Sequence, residues 1–177
     1  MRRLGQVWIE TVLYTLIGLA LIGLTLGFVM PKINEARDRA LVDQAINSLG
    51  DLDSKVTEVI QTGAGNIRQT EFLMKRGELY INASSDEIDM LISGLTAPYS
   101  EPGVEINIGR IKTKTTSEQG GNSVYLRAVY NANLTYKKSD NAVKFNPAST
   151  SYKFFIKNAG NTNGKSWIDI DEVSGSQ

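Results

Sequence analysis

The chain has 177 residues, 19 basic and 19 acidic side chains, and neither histidine nor cysteine. Balanced charge gives no electrostatic footprint for a nucleic-acid partner. The missing residue types exclude disulfides, zinc sites built on His or Cys, and Ser-His or Cys-His nucleophile pairs, so neither an enzyme nor a metal or cofactor site is expected.

The first 30 residues, MRRLGQVWIETVLYTLIGLALIGLTLGFVM, carry the strongest signal. Arg2 and Arg3 precede a Gly5-Gln6 junction, Glu10 follows, and then 20 residues from Thr11 to Met30 hold no charge. At 1.5 Å per residue that is about 30 Å of helix, the hydrocarbon thickness of a bilayer. Eleven Leu, Ile, Val or Phe side chains in this run contribute roughly −3 to −7 kcal/mol to insertion. A carboxylate at the bilayer centre costs about 2.5–3.5 kcal/mol, and Glu10 at the end of the run costs less. Insertion is therefore expected, with the more basic N-terminal flank in the cytoplasm and the rest outside. A cleaved secretory signal would have a shorter apolar core and a small-residue cleavage site after it, and Phe28-Val29-Met30-Pro31 offers none.

Residues 31–62 extend the helix. Ala45, Leu49, Leu52, Val56 and Val59 recur at heptad-like spacing, a seam expected to pack on a sheet. Pro31 removes the hydrogen bond to the Gly27 carbonyl, which predicts a kink near Gly27–Pro31. Gly63-Ala64-Gly65 ends the helix.

From residue 66 the pattern turns to period two. Val124, Leu126, Ala128, Tyr130, Ala132, Leu134 and Tyr136 share one side of a predicted strand, and Val104, Ile106 and Ile108 one side of another. Phe72–Lys75 and Glu78–Ala83 around Arg76-Gly77 read as a hairpin. Tyr152–Lys157 and Trp167–Ile170 are further strands, Asp86–Leu95 fits helix or strand, and Ser139–Thr150 and Asn158–Lys165 read as polar loops. The fold class is α+β: a long N-terminal hydrophobic helix followed by an antiparallel β-sheet or sandwich head over residues 66–177.

The N-terminal string Arg2-Arg3-Leu4-Gly5-Gln6-Val7-Trp8-Ile9-Glu10, followed by an apolar helix, resembles the class III signal of type IV pilins, particularly the archaeal pilins and archaellins. The resemblance implies a pilin-like lollipop architecture, a signal peptide over residues 1–5, cleavage after Gly5 by a prepilin peptidase, and Gln6 as the first mature residue. It implies a filament-core helix over residues 6–30, an amphipathic extension over 31–62, and partners that are identical or related pilins, the peptidase, and an assembly platform with its ATPase. The precursor would sit in the membrane and the mature form in a cell-surface filament. Glu10 would become the fifth mature residue. The amine that cleavage creates at Gln6 suits it as a partner from a neighbouring subunit, a pair that fixes register more than it adds stability.

Gly23-Leu24-Thr25-Leu26-Gly27 is a GxxxG motif suited to close helix approach, and Gly27 with Pro31 permits local melting of the helix. Asn82 and Asn133 open N-glycosylation sequons on polar strand faces. With 13 asparagines, two such triplets arise by chance, so only the outward topology speaks for their use. Asp169, Asp171 and Glu172 resemble the opening of a calcium loop, but Val173 and Ser174 occupy positions that need a ligand and a glycine, so a solvated strand end is expected. The rival reading is a single-pass membrane-anchored surface binding domain that never polymerises and keeps Arg2 and Arg3.

Overall fold

The computed structural model describes residues 3–173, with side chains described from Val7 onward. The chain divides into two compact units, Met1–Arg37 and Asp38–Gln177. Helix α1 (Arg3–Thr62) forms the first unit and opens the second. It is helical throughout and includes Pro31, whose missing N–H removes one bond rather than ending the helix. Its end is set by local chemistry. Gly63 and Gly65 take positive φ (+85° and +87°), and the Asn66 side-chain amide donates to the carbonyls of Thr62 (2.9 Å) and Gly63 (3.1 Å), which have no helical partner.

The second unit carries ten strands: β1 (Ile67–Phe72), β2 (Glu78–Asn82), β3 (Glu87–Leu95), β4 (Glu105–Ile108), β5 (Ile111–Glu118), β6 (Gly121–Val129), β7 (Asn133–Tyr136), β8 (Val143–Phe145), β9 (Tyr152–Thr162) and β10 (Lys165–Glu172). They form a four-stranded sheet in the order β1-β9-β10-β7 and a six-stranded sheet in the order β4-β5-β6-β3-β2-β8. The α+β layout read from the sequence is the observed one. All pairings are antiparallel except β7 with β10, which is parallel.

One core joins the helix to both sheets. The predicted seam is fully used: Ala45, Leu49, Leu52, Val56 and Val59 are all buried, together with Val42 and Ile46. They meet Leu79, Ile81, Ile88, Met90 and Leu126 of the larger sheet and Phe72, Phe154, Ile156 and Ile168 of the smaller. Polar contacts fix the helix on this core. The Asn158 side chain donates to the Val59 carbonyl (3.2 Å), Arg68 pairs with Glu58 (2.7 Å) and Arg110 with buried Asp53 (3.2 Å). Where the sheets meet, Phe145 of β8 packs edge-on against Tyr136, Tyr152 and Phe154 of the other sheet, with centroids 5.2–5.7 Å apart.

Several strand expectations need correction. The segment 124–136 has the predicted buried side, with every residue of that set at 8% exposure or less. It is nevertheless two strands in two sheets, β6 and β7, because the chain leaves one sheet at Tyr130 and enters the other at Asn133. The expected hairpin at Arg76-Gly77 does not form: β1 pairs with β9, and β2 with β3 and β8. Asp86–Leu95 resolves as strand: Asp86 closes the 3-10 turn Ala83–Ser85, and β3 follows from Glu87. The two predicted polar loops contain β8 and the tips of β9 and β10.

Candidate functional site: the exposed apolar helix

The apolar run of α1 covers nothing within the first unit. Seventeen large hydrophobic side chains between Val7 and Ile33 are exposed, with Phe28 at 80% and Trp8 and Tyr14 at 70%. They surround the helix rather than forming one stripe, the pattern of a helix covered on all sides. Burying a side chain of this size is worth about 1.5–3 kcal/mol, so leaving all of them in water forfeits on the order of 25–50 kcal/mol. That magnitude demands a cover, and Val7–Thr62 is long and apolar enough to cross a membrane.

The polar groups within the run are mostly self-satisfied. Thr11, Thr15 and Thr25 donate to the carbonyls of Val7, Thr11 and Leu21, one turn back, at 2.8–2.9 Å. Glu10 is different: it is exposed, and among the described residues it has no ion-pair or hydrogen-bond partner. Gly23 and Gly27 stand in open space, where an added Cβ meets nothing within 4 Å, so both leave the helix backbone approachable. Past Pro31 the surface becomes charged, and Lys32 pairs with Glu35 at 2.7 Å. The helix includes Gly5 and Gln6, but the processing junction expected there lies outside the residues whose side chains are described.

The two sequons sit in unequal settings. Asn82 ends β2 half-buried and its amide donates to the buried Asp89 carboxylate, which also accepts from Arg127 (3.2 Å). Asn133 opens β7, half-buried, and the hydroxyl of its sequon Thr135 is buried between Trp167 and Asp169. The acidic run at the C-terminus lies on β10, as expected for a strand with one wet face: Ile168 and Ile170 enter the core while Asp169 and Asp171 face outward.

Sequence reasoning missed a second feature on that wet face. A cavity of about 380 Å³ opens on the outer surface of the four-stranded sheet, floored by Ile67, Phe155 and Trp167. Its wall is a hydrogen-bonded relay. The Trp167 indole N–H donates to Thr135 Oγ1 (2.9 Å), Thr135 donates to Asp169 Oδ1 (2.6 Å), and the Lys138 amide donates to the same oxygen (2.7 Å). Lys137 and Lys138 form the adjoining turn, where Tyr136 and Ser139 exchange both backbone bonds. Both lysines hold positive φ (50° and 62°), a conformation that costs a side-chain-bearing residue roughly 1–2 kcal/mol and that Asn-Gly normally fills. The only sequence signal was the wet-face alternation of β10. Its partners come from β1, β7, β9 and a turn, which no local pattern connects.

No known protein family, curated protein or solved structure matches this chain.

Proposed function

We propose that the chain is a structural subunit of a type IV pilus-like surface filament. It inserts through residues 7–30, is cut after Gly5, and polymerises through its N-terminal helix with the β head exposed. The observation that carries this reading is the lone carboxylate of Glu10 at the start of an apolar helix exposed on every side. Lipid satisfies the apolar surface but offers Glu10 only the hydrated headgroup boundary and no specific partner. A filament core satisfies both, because a neighbouring subunit brings the free amine of a processed Gln6 beside it. Gly23 and Gly27 then supply close helix packing. Prepilin peptidase, related pilins and an assembly platform are the partners this reading requires, and glycans on the head are compatible with it.

N-terminal mass spectrometry of the native membrane and surface fractions tests the reading. A mature chain beginning at Gln6 supports prepilin processing. A chain retaining Arg2 and Arg3 and held in the membrane overturns it in favour of an anchored surface binding domain.

A further inference from the structure

We propose that the cavity on the outer face of the four-stranded sheet binds an acidic saccharide, a uronate-type sugar, stacked on Trp167 and Phe155 with its carboxylate on Lys138 and Lys157. The inference does not depend on polymerisation.

Four charged side chains line the cavity: Lys138, Lys157, Asp169 and Asp171. They are not equally engaged. Asp169 accepts two hydrogen bonds, from Thr135 and from the Lys138 amide, and Asp171 lies 3.9 Å from the Lys137 ammonium. Among the described residues, the ammonium groups of Lys138 and Lys157 have no ion pair. With Lys137 set against Asp171, the ammonium groups of Lys138 and Lys157 face the single charge of Asp169, which lies opposite Lys157 in the β9–β10 register, so one positive charge is left over and calls for an anion.

The floor narrows the choice. Phe155 is 39% exposed and Ile67 50% exposed, beside the half-buried Trp167 ring, an apolar platform that a strand facing only water does not require. Trp167 is held in one orientation by its bond to Thr135, so the platform is preorganised. A ligand must offer an apolar face to these rings and a carboxylate to the lysines. A fatty or aromatic acid would leave the outer oxygens of Asp169 and Asp171 facing apolar surface. A sugar ring presents a C–H face to the aromatics and hydroxyls that donate to those carboxylates. A volume of about 380 Å³ is at the small end of ligand sites, suited to a short stretch of saccharide in an open groove.

The test uses the full chain in detergent micelles and saturation-transfer NMR of three probes: oligogalacturonate, its fully methyl-esterified form, and decanoate. Oligogalacturonate is expected to bind and its neutral ester to bind at least about tenfold more weakly, the loss of one charge-assisted contact. Lys157→Gln is expected to reproduce that loss, whereas Lys114→Gln, an exposed lysine on the six-stranded sheet, leaves binding unchanged. Both are surface lysines without an ion pair among the described residues, so folding is not at stake. Absence of oligogalacturonate binding, equal affinity for the ester, or equal effects of the two substitutions would overturn the proposal. Binding of decanoate alone would overturn it in favour of a lipid acid.

Discussion

Asp38 and Thr96 stand 58 residues apart in sequence, yet the Thr96 amide donates to Asp38 Oδ2 at 2.6 Å, while Arg76 donates to Asp38 Oδ1 at 3.2 Å. Arg76 also bonds the Gly94 carbonyl, so one carboxylate and one guanidinium tie the first turn of the head's helix to the end of β3. Replacing Asp38 with Ala leaves the amide and guanidinium without their acceptor, and the head is expected to lose about 1–3 kcal/mol in denaturant unfolding. Burial alone would raise the Asp38 pKa, but the Thr96 bonds and Arg76 outweigh it and hold the group below its ordinary 3.8. A depressed folded-state pKa means this contribution is complete above 3.8 and lost as pH falls below it. Acid unfolding of Asp38→Asn, compared with the parent, checks that window.

Tyr99 gives the opposite limb. Its hydroxyl donates to Asp43 at 2.7 Å, and burial, then the Asp43 hydrogen bond and charge, push its pKa from 10.0 to about 12, against a smaller opposing effect of Arg39. A raised folded-state pKa gives stability that is full below 10.0 and lost as pH rises through about 12. Tyrosinate absorbance during alkaline titration should show Tyr99 within a late-ionising group that also holds buried Tyr130, and Asp43→Asn should move the Tyr99 share of that signal earlier.

Leu49 is fully buried at the centre of the helix seam. Leu49→Ala is expected to cost about 2–5 kcal/mol of head stability, read as a lower midpoint in urea. The parallel substitution Leu19→Ala, in the exposed run, should leave that midpoint unchanged.

Gly77 approaches the chain more closely than any side chain permits. Its φ is +96°, and a Cβ there would lie 2.6 Å from the Leu91 carbonyl oxygen. Gly77→Ala must move β3 or the turn, at roughly 1–3 kcal/mol, and calorimetry should show the loss.

If the filament reading holds, Glu10→Gln removes the charge that a neighbouring amine would meet. Membrane insertion should persist, while filaments seen by electron microscopy should fall sharply, since breaking a buried pair costs about 3–5 kcal/mol at each interface. Undiminished filaments would leave Glu10 with no part in assembly.

What the sequence disclosed followed the reach of its patterns. The spacing from Ala45 to Val59 is local, and it named the buried side of the helix residue by residue. Alternation from Val124 to Tyr136 named a buried side but hid the change of sheet, because period two continues across the crossing at Tyr130–Asn133. β5 escaped notice because its buried positions after Ile111 are Thr113 and Thr115, which carry no apolar signal. Turn chemistry at Arg76-Gly77 was real, but a glycine says nothing about which distant strand each flank will join. Glu10 was legible because charge is rare in an apolar run. The Trp167 cavity was not, because Ile67, Lys138, Phe155 and Trp167 converge only through sheet register.

The strand order β1-β9-β10-β7 sets a timetable for biogenesis. The apolar helix emerges before the head and is long and apolar enough to engage a membrane while the strands are still being made. The smaller sheet, by contrast, cannot close until its last strand slots between β9 and β7, and β1 waits for a partner that begins 80 residues after its own last residue. A chain interrupted before β9 would hold every strand of the larger sheet but leave Phe72 and Leu134 without the rest of the smaller one. Quality-control proteases that recognise exposed apolar strands would have a clear basis for removing it before it met intact copies.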